Sequence, residues 1–152
     1  MSGFINPELK HYYMEMSNLS KSETGLPTVL WVEEFGKERS VGHNKDIIRE
    51  VQVGINSNGD PLTMQVKGNP RVKIWPKKGE SPNSRNGFSS IIINVNGEAV
   101  FDDEDLRRKN STLTNKDLET IDEFITINLI PILKLWNGDI SLGKFKKNLV
   151  KV

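Results

Sequence analysis

The sequence contains no cysteine and only two histidines among its 152 residues. Without cysteine the protein forms no disulfide, no zinc ribbon and no thiol nucleophile, and we expect it to work in a reducing cytoplasm. His11 and His43 are the only histidines that could serve as general bases near neutral pH. The sequence therefore leaves little room for the commonest kinds of catalytic site.

An excess of charge is also missing, since 21 basic residues balance 20 acidic ones for a net charge of +1. A protein that coats nucleic acid by bulk charge is excluded, and any site for an anion must be a local patch. No apolar run approaches the length of a membrane span, and the first residues do not resemble a secretory signal.

Motifs that bind phosphate, dinucleotides or metals are absent as well. No nucleophile elbow, phosphate loop or dinucleotide fingerprint occurs. The acidic run from Asp102 to Asp105 lacks calcium-loop spacing, and Arg107, Arg108 and Lys109 follow it directly. We therefore predict no metal and no cofactor.

The hydrophobic pattern predicts an α+β fold, with an antiparallel sheet of five or six strands. Residues 1–24 are expected to contain an N-terminal helix, from Asn6 to Lys21, and a short linker that overlaps the end of the helix. Residues 25–101 are expected to form the sheet. Residues 102–152 are expected to form a helical part that packs on one face of the sheet. Asn58-Gly59 and Asn96-Gly97 are typical of tight hairpin turns. The length of 152 residues suits a single domain spanning the whole chain.

The helical part has two segments. Apolar residues recur at helical spacing from Leu118 to Trp136, with Thr114 as the expected cap and a break near Asn128, because Pro131 interrupts the pattern. Ser141 is expected to cap a last short helix that carries several lysines. Lysines near a helix C-terminus are favourable with the helix dipole, so they need no ligand to explain them.

The stretch from Arg71 to Val95 holds the candidate site, because two strands flank a long loop with little acid. Strand alternation places Val72 and Ile74 on the core face and sends the residues between them to the other face. Basic side chains beside an aromatic ring are a known way to hold nucleotides. The predicted ligand-binding residues are Arg71, Lys73, Trp75, Lys77, Lys78, Arg85, Ser89 and Ser90. The alternative is a solvated hairpin whose basic side chains only cover apolar surface.

Three segments resemble, in order, small bacterial and phage-borne proteins of uncharacterised function. They are a strand with Leu26-Pro27, a strand with Arg71 and Lys73, and a helix that ends in Trp136, Gly138 and Ile140. The resemblance covers about half of the chain and implies a bacterial or mobile-element origin and a small α+β fold. It implies no activity.

Together these features favour a non-enzymatic cytoplasmic module that binds an anion. The ligand is expected to be a nucleotide-like signal or an acidic protein surface, and an inhibitor or sponge acting on a defence system fits this size and composition. One alternative is a toxin-like, metal-independent nuclease that uses His43 with lysine and arginine. Another is a structural subunit that forms homo-oligomers through a sheet edge or the helix that carries Trp136.

Overall fold

The computed structural model describes residues 15–34 and 48–152, in which strands and helices are largely segregated along the chain. The strands are β1 (Glu15–Leu19), β2 (Leu30–Glu34), β3 (Ile48–Ile55), β4 (Pro61–Lys67), β5 (Arg71–Ile74), β6 (Ser89–Ile93) and β7 (Ala99–Phe101). The helices are α1 (Lys21–Thr24), α2 (Asp103–Arg108), α3 (Asn115–Ile127), α4 (Leu129–Asn137) and α5 (Leu142–Lys147). The predicted α+β class is confirmed.

The main sheet has five antiparallel strands in the order β1-β2-β5-β6-β7. The predicted N-terminal helix is wrong for Glu15–Leu19, because these residues form strand β1. The rest of that predicted helix, residues 6–14, lies outside the described residues. The expected linker contains α1, which Ser20 and Glu23 start with a reciprocal capping box.

The hairpin of β3 and β4 turns at Gly59, whose positive φ of 84° suits glycine. It forms a separate two-stranded sheet instead of extending the main one. Val51 and Val66 enter the core, and the Asn137 side chain bonds the backbone of Gln65 and Lys67 at 2.9 Å each. The hairpin is thereby fastened to the end of α4.

The helical part behaves largely as the pattern predicts. Thr114 and Asp117 form a capping box at the start of α3, and the helix ends at Asn128, where α4 begins. The Asn128 amide fills the break by donating to the carbonyls of Phe124 and Val150. Helix α2 was not predicted, since the acidic run was taken as a connector. Asp102 caps it by accepting from the backbone N–H of Asp105.

Helices α3 and α4 pack on one face of the main sheet, and the opposite face, as far as residues 15–34 and 48–152 form it, is called the open face. On the open face Ile92 and Val100 are half-exposed, whereas Trp31 and Glu33 are buried. Alternate residues of its central strands, such as Val32, Val72 and Ile91, enter the core with α3 and α4. Their neighbours point the other way, and by the strand register they form two rows across the open face. One row runs through Asn18, Trp31, Lys73 and Ser90; the other runs through Glu33, Arg71, Ile92 and Val100.

Candidate functional site

The centre of the open face is a charge cluster of two cations and one buried carboxylate. Glu33 is only 3% exposed. Its carboxylate lies 3.3 Å from Arg71 Nη2 and 3.6 Å from Lys73 Nζ. Because β2 and β5 are neighbouring antiparallel strands, these three side chains share one face. Glu33 therefore neutralises part of the basic face that the sequence predicts.

An aromatic cluster lies beside these charges. The Trp31 and Phe88 ring centroids are 4.7 Å apart, and those of Trp75 and Phe88 are 5.3 Å apart in an edge-on arrangement. Gly87 lies against the benzo ring of Trp75, so a Cβ at this position would collide with the indole. The cluster thus fixes the end of the loop that joins β5 to β6.

Two cations reach the Trp31 ring. Lys73 Nζ lies 5.4 Å and the Arg85 guanidinium carbon 5.7 Å from the ring centroid. Both distances are within the range of a cation–π interaction. Arg85 is exposed on a single 3₁₀ turn, Arg85–Gly87, that Ser84 caps.

Trp31, Arg85 and Phe88 border a recess of about 260 Å³. Its lining residues are Asn18, Trp31, Pro82, Asn83, Ser84, Arg85 and Phe88. The volume is just below the roughly 300–1,000 Å³ of pockets for drug-sized ligands. The recess can therefore take a group the size of a base or a sugar phosphate, with donors from Asn18, Asn83, Ser84 and Arg85 around it.

Two of the predicted site residues are placed away from this surface. Trp75 follows the last residue of β5, where the expected alternation stops, and it packs in the aromatic cluster. Trp75 and Trp31 are similarly buried, at 5% and 6% exposure, but only Trp31 lines the recess. Ser89 is 1% exposed on the covered side of β6. The structure thus buries both side chains, where the sequence predicted that they face a ligand.

The remaining predicted residues are dispersed. Lys78 reaches α3, where its Nζ lies 3.1 Å from the Asp117 carboxylate. Lys77 is half-buried in the loop, and Ser90 lies opposite Lys73 on the open face. Of the eight predicted residues, the structure brings Arg71, Lys73, Arg85 and Ser90 to the open face or its rim.

Lys78 and the capping box together make Asp117 acid-sensitive. The Thr114 backbone N–H holds the pKa of Asp117 below its usual value, against the opposing effect of burial and with further help from Lys78. A lowered pKa means that this stabilisation is complete above the unfolded-state pKa, about 3.9, and disappears as the pH falls through the lower folded-state pKa.

We therefore expect Asp117→Asn to cost about 1 kcal/mol of unfolding free energy at pH 7, the usual size of a capping contribution. Its difference from the parent should vanish in urea unfolding experiments carried out well below pH 4. Asp122→Asn, at an exposed position on the same helix, is the control and should change little. A pH-independent difference for Asp117→Asn would show that its carboxylate charge is not what stabilises the helix.

Sequence reasoning assigned neither Glu33 nor Trp31 to the ligand site. Period-2 alternation in β2 puts both on one face, which is a signal that the sequence does contain. The pairing of β2 with β5 could not be predicted, because more than thirty residues separate these strands along the chain. The lining residues Asn18 and Ser84 carry no local signal at all.

Within residues 15–34 and 48–152, no group of three or more His, Asp or Glu side chains is arranged to hold a metal ion. No helix in the same part of the chain is long and apolar enough to cross a bilayer. His11 and His43 lie outside the described residues. Comparison with protein families, with curated proteins and with solved structures gave no significant match to this chain.

Proposed function

We propose that the protein is a non-enzymatic module that binds an anionic, nucleotide-like molecule at the recess beside Trp31. The observation that carries the proposal is that Lys73 and Arg85 both contact the indole ring of Trp31, and that this ring and Arg85 line the recess. Phosphate would contact the cations, and a base or sugar would enter the recess. The function is a hypothesis supported by this arrangement of charge, ring and volume.

The electrostatics of the open face support an anion over a cation. Around β2 and β5, Arg71, Lys73 and Arg85 provide three positive charges against the one negative charge of Glu33, whereas Asp102 and Asp103 lie at the opposite edge of the sheet, after β7. Glu33 forms ion pairs with Arg71 and Lys73, whereas among the described residues no carboxylate forms an ion pair with Arg85. Arg85 is thus the cation with the most capacity for a phosphate.

The proposal keeps the broader expectation drawn from the sequence. A small cytoplasmic protein of bacterial or phage origin that binds a nucleotide signal could act as a sponge against a defence system. An acidic protein surface is the other ligand considered for this patch, and the small concave recess favours a small molecule over it.

The test is to titrate the whole protein with nucleoside monophosphates, cyclic mononucleotides, free nucleosides and inorganic phosphate. Calorimetry and tryptophan fluorescence measure the binding. We expect at least one nucleotide to bind, and Arg85→Ala to weaken it about tenfold to a hundredfold, since a hydrogen bond to a charged group contributes about 1.5–3 kcal/mol. Arg107→Ala, at an exposed arginine of α2, is the matched control and should bind as the parent does.

Added salt should lower the affinity, because the cations lie at the surface. Free nucleosides test the contact of a base or sugar with the recess, and inorganic phosphate tests the contact of a phosphate with the cations. If no compound binds at millimolar concentration, or if Arg85→Ala and Arg107→Ala bind alike, this assignment of the recess is wrong.

A further inference from the structure

We propose that the open face of the main sheet is also a self-association surface, on which a second copy of this chain docks over β6. Ile92 and Val100 are each 47% exposed there and lie directly opposite one another on β6 and β7. Two neighbouring, half-exposed β-branched residues near one edge of the sheet face form an apolar patch. The proposal does not depend on the nucleotide-binding function.

The charges on either side of this patch have opposite signs. Arg71 and Lys73 on β5 lie on one side of it. Asp102 and Asp103 lie on the other, at the end of β7, and line a recess of about 270 Å³ together with Ser90, Ile92, Val100 and Phe101. Both aspartates are exposed. A surface with a basic flank, an apolar centre and an acidic flank is complementary to itself.

A two-fold axis brings the complementary parts together. In the proposed dimer the open faces of the two copies pack against each other, and the two-fold axis is parallel to β6 and midway between the two sheets. Strand β6 then lies over β6 of the second copy, and β5 lies over β7 of the second copy. The register then puts Ile92 against Ile92, and Arg71 over Val100 of the second copy. It also puts Lys73 over the position after Phe101, so that it faces Asp102 of the second copy.

This arrangement leaves Trp31 and its recess outside the overlap, but it places Lys73, which contacts the Trp31 ring, in the interface. Trp31 lies on β2, the next strand out from β5, and so falls beyond the edge of the overlapping strands. The overlap is only three strands wide, or about 14 Å. Since this is smaller than a standard interface, we expect a weak dimer with a dissociation constant on the order of 100 µM.

The test is sedimentation velocity over roughly 10 µM to 1 mM of the whole protein, a range set by that affinity. We expect a dimer at the upper end, and monomer at all concentrations for Ile92→Glu, which would place like charges on the axis. Val100→Lys should also dissociate the dimer because it would face Arg71, whereas Val100→Glu should retain it. Ile127→Glu, with 46% exposure on α3, is the matched control and should remain dimeric.

A second measurement does not depend on charge. The chain has no cysteine of its own, so Ile92→Cys introduces a single thiol, which a short bismaleimide should join to its copy. Ile127→Cys should remain uncrosslinked. Monomer at 1 mM, equal effects of Val100→Lys and Val100→Glu, or equal crosslinking at the two positions would each overturn the proposal.

Discussion

Replacing Arg71 and Lys73 together with methionine is expected to lower the free energy of unfolding by about 3–5 kcal/mol. Glu33 is 3% exposed, and within residues 15–34 and 48–152 these two side chains are the cations that form ion pairs with it. Removing both leaves a buried carboxylate without compensating charge, which costs much more than the loss of a surface ion pair. Methionine preserves most of the side-chain volume, so the effect of charge is separated from the effect of packing.

Adding Glu33→Leu to the double variant should restore most of the lost stability, because no buried charge is then left uncompensated. Lys78→Met is the control, since Lys78 is half-exposed in its pair with Asp117 and should cost no more than about 1 kcal/mol. Urea unfolding followed by circular dichroism measures all of these variants. If the triple variant is as unstable as the double, the loss comes from the lysine and arginine stems and not from the charge on Glu33.

The buried carboxylate also determines how ligand binding has to be tested. A variant of Arg71 or Lys73 that fails to bind a nucleotide has also lost a partner of Glu33, so its effect on binding is mixed with its effect on folding. Arg85 is exposed, lies over Trp31 and has no such role in the described part of the chain. For this reason the variant of Arg85, and not of the strand residues, decides between a ligand site and a solvated face.

The local features of the fold were predictable from sequence. Asn58-Gly59 closes the β3–β4 hairpin at the expected place, because a tight turn needs a residue with positive φ between two strands. The break at Asn128 follows from Pro131, whose ring cannot continue the hydrogen bonding of α3. In both cases the signal lies within a few residues of its effect.

Features that depend on distant contacts were not predictable in the same way. Leu19 of β1 is fully buried, and the strand pairs with β2 along its whole length. Lys78 was assigned to the ligand site because its neighbours are basic, but its partner Asp117 comes from α3. The candidate site was thus predicted as a charged face without the acid that compensates it, since neighbouring strands in a sheet need not be near in sequence.

Replacing Ile125 with alanine should have the second large effect on stability, about 2–5 kcal/mol. Ile125 is fully buried and belongs to the core cluster between α3 and the main sheet. Truncation removes three methyl or methylene groups and leaves a cavity that the packed neighbours fill only in part. The expected loss is therefore larger than that of a capping interaction or of a surface ion pair.

The same helix supplies the control, because Ile127 is 46% exposed two residues further on. Ile127→Ala makes an identical chemical change with the same gain in helix propensity, so the difference between the two variants isolates burial. Ile127→Ala should stay within about 0.5 kcal/mol of the parent in urea unfolding. Equal effects at the two positions would mean that α3 does not pack on the sheet through the face that carries Ile125.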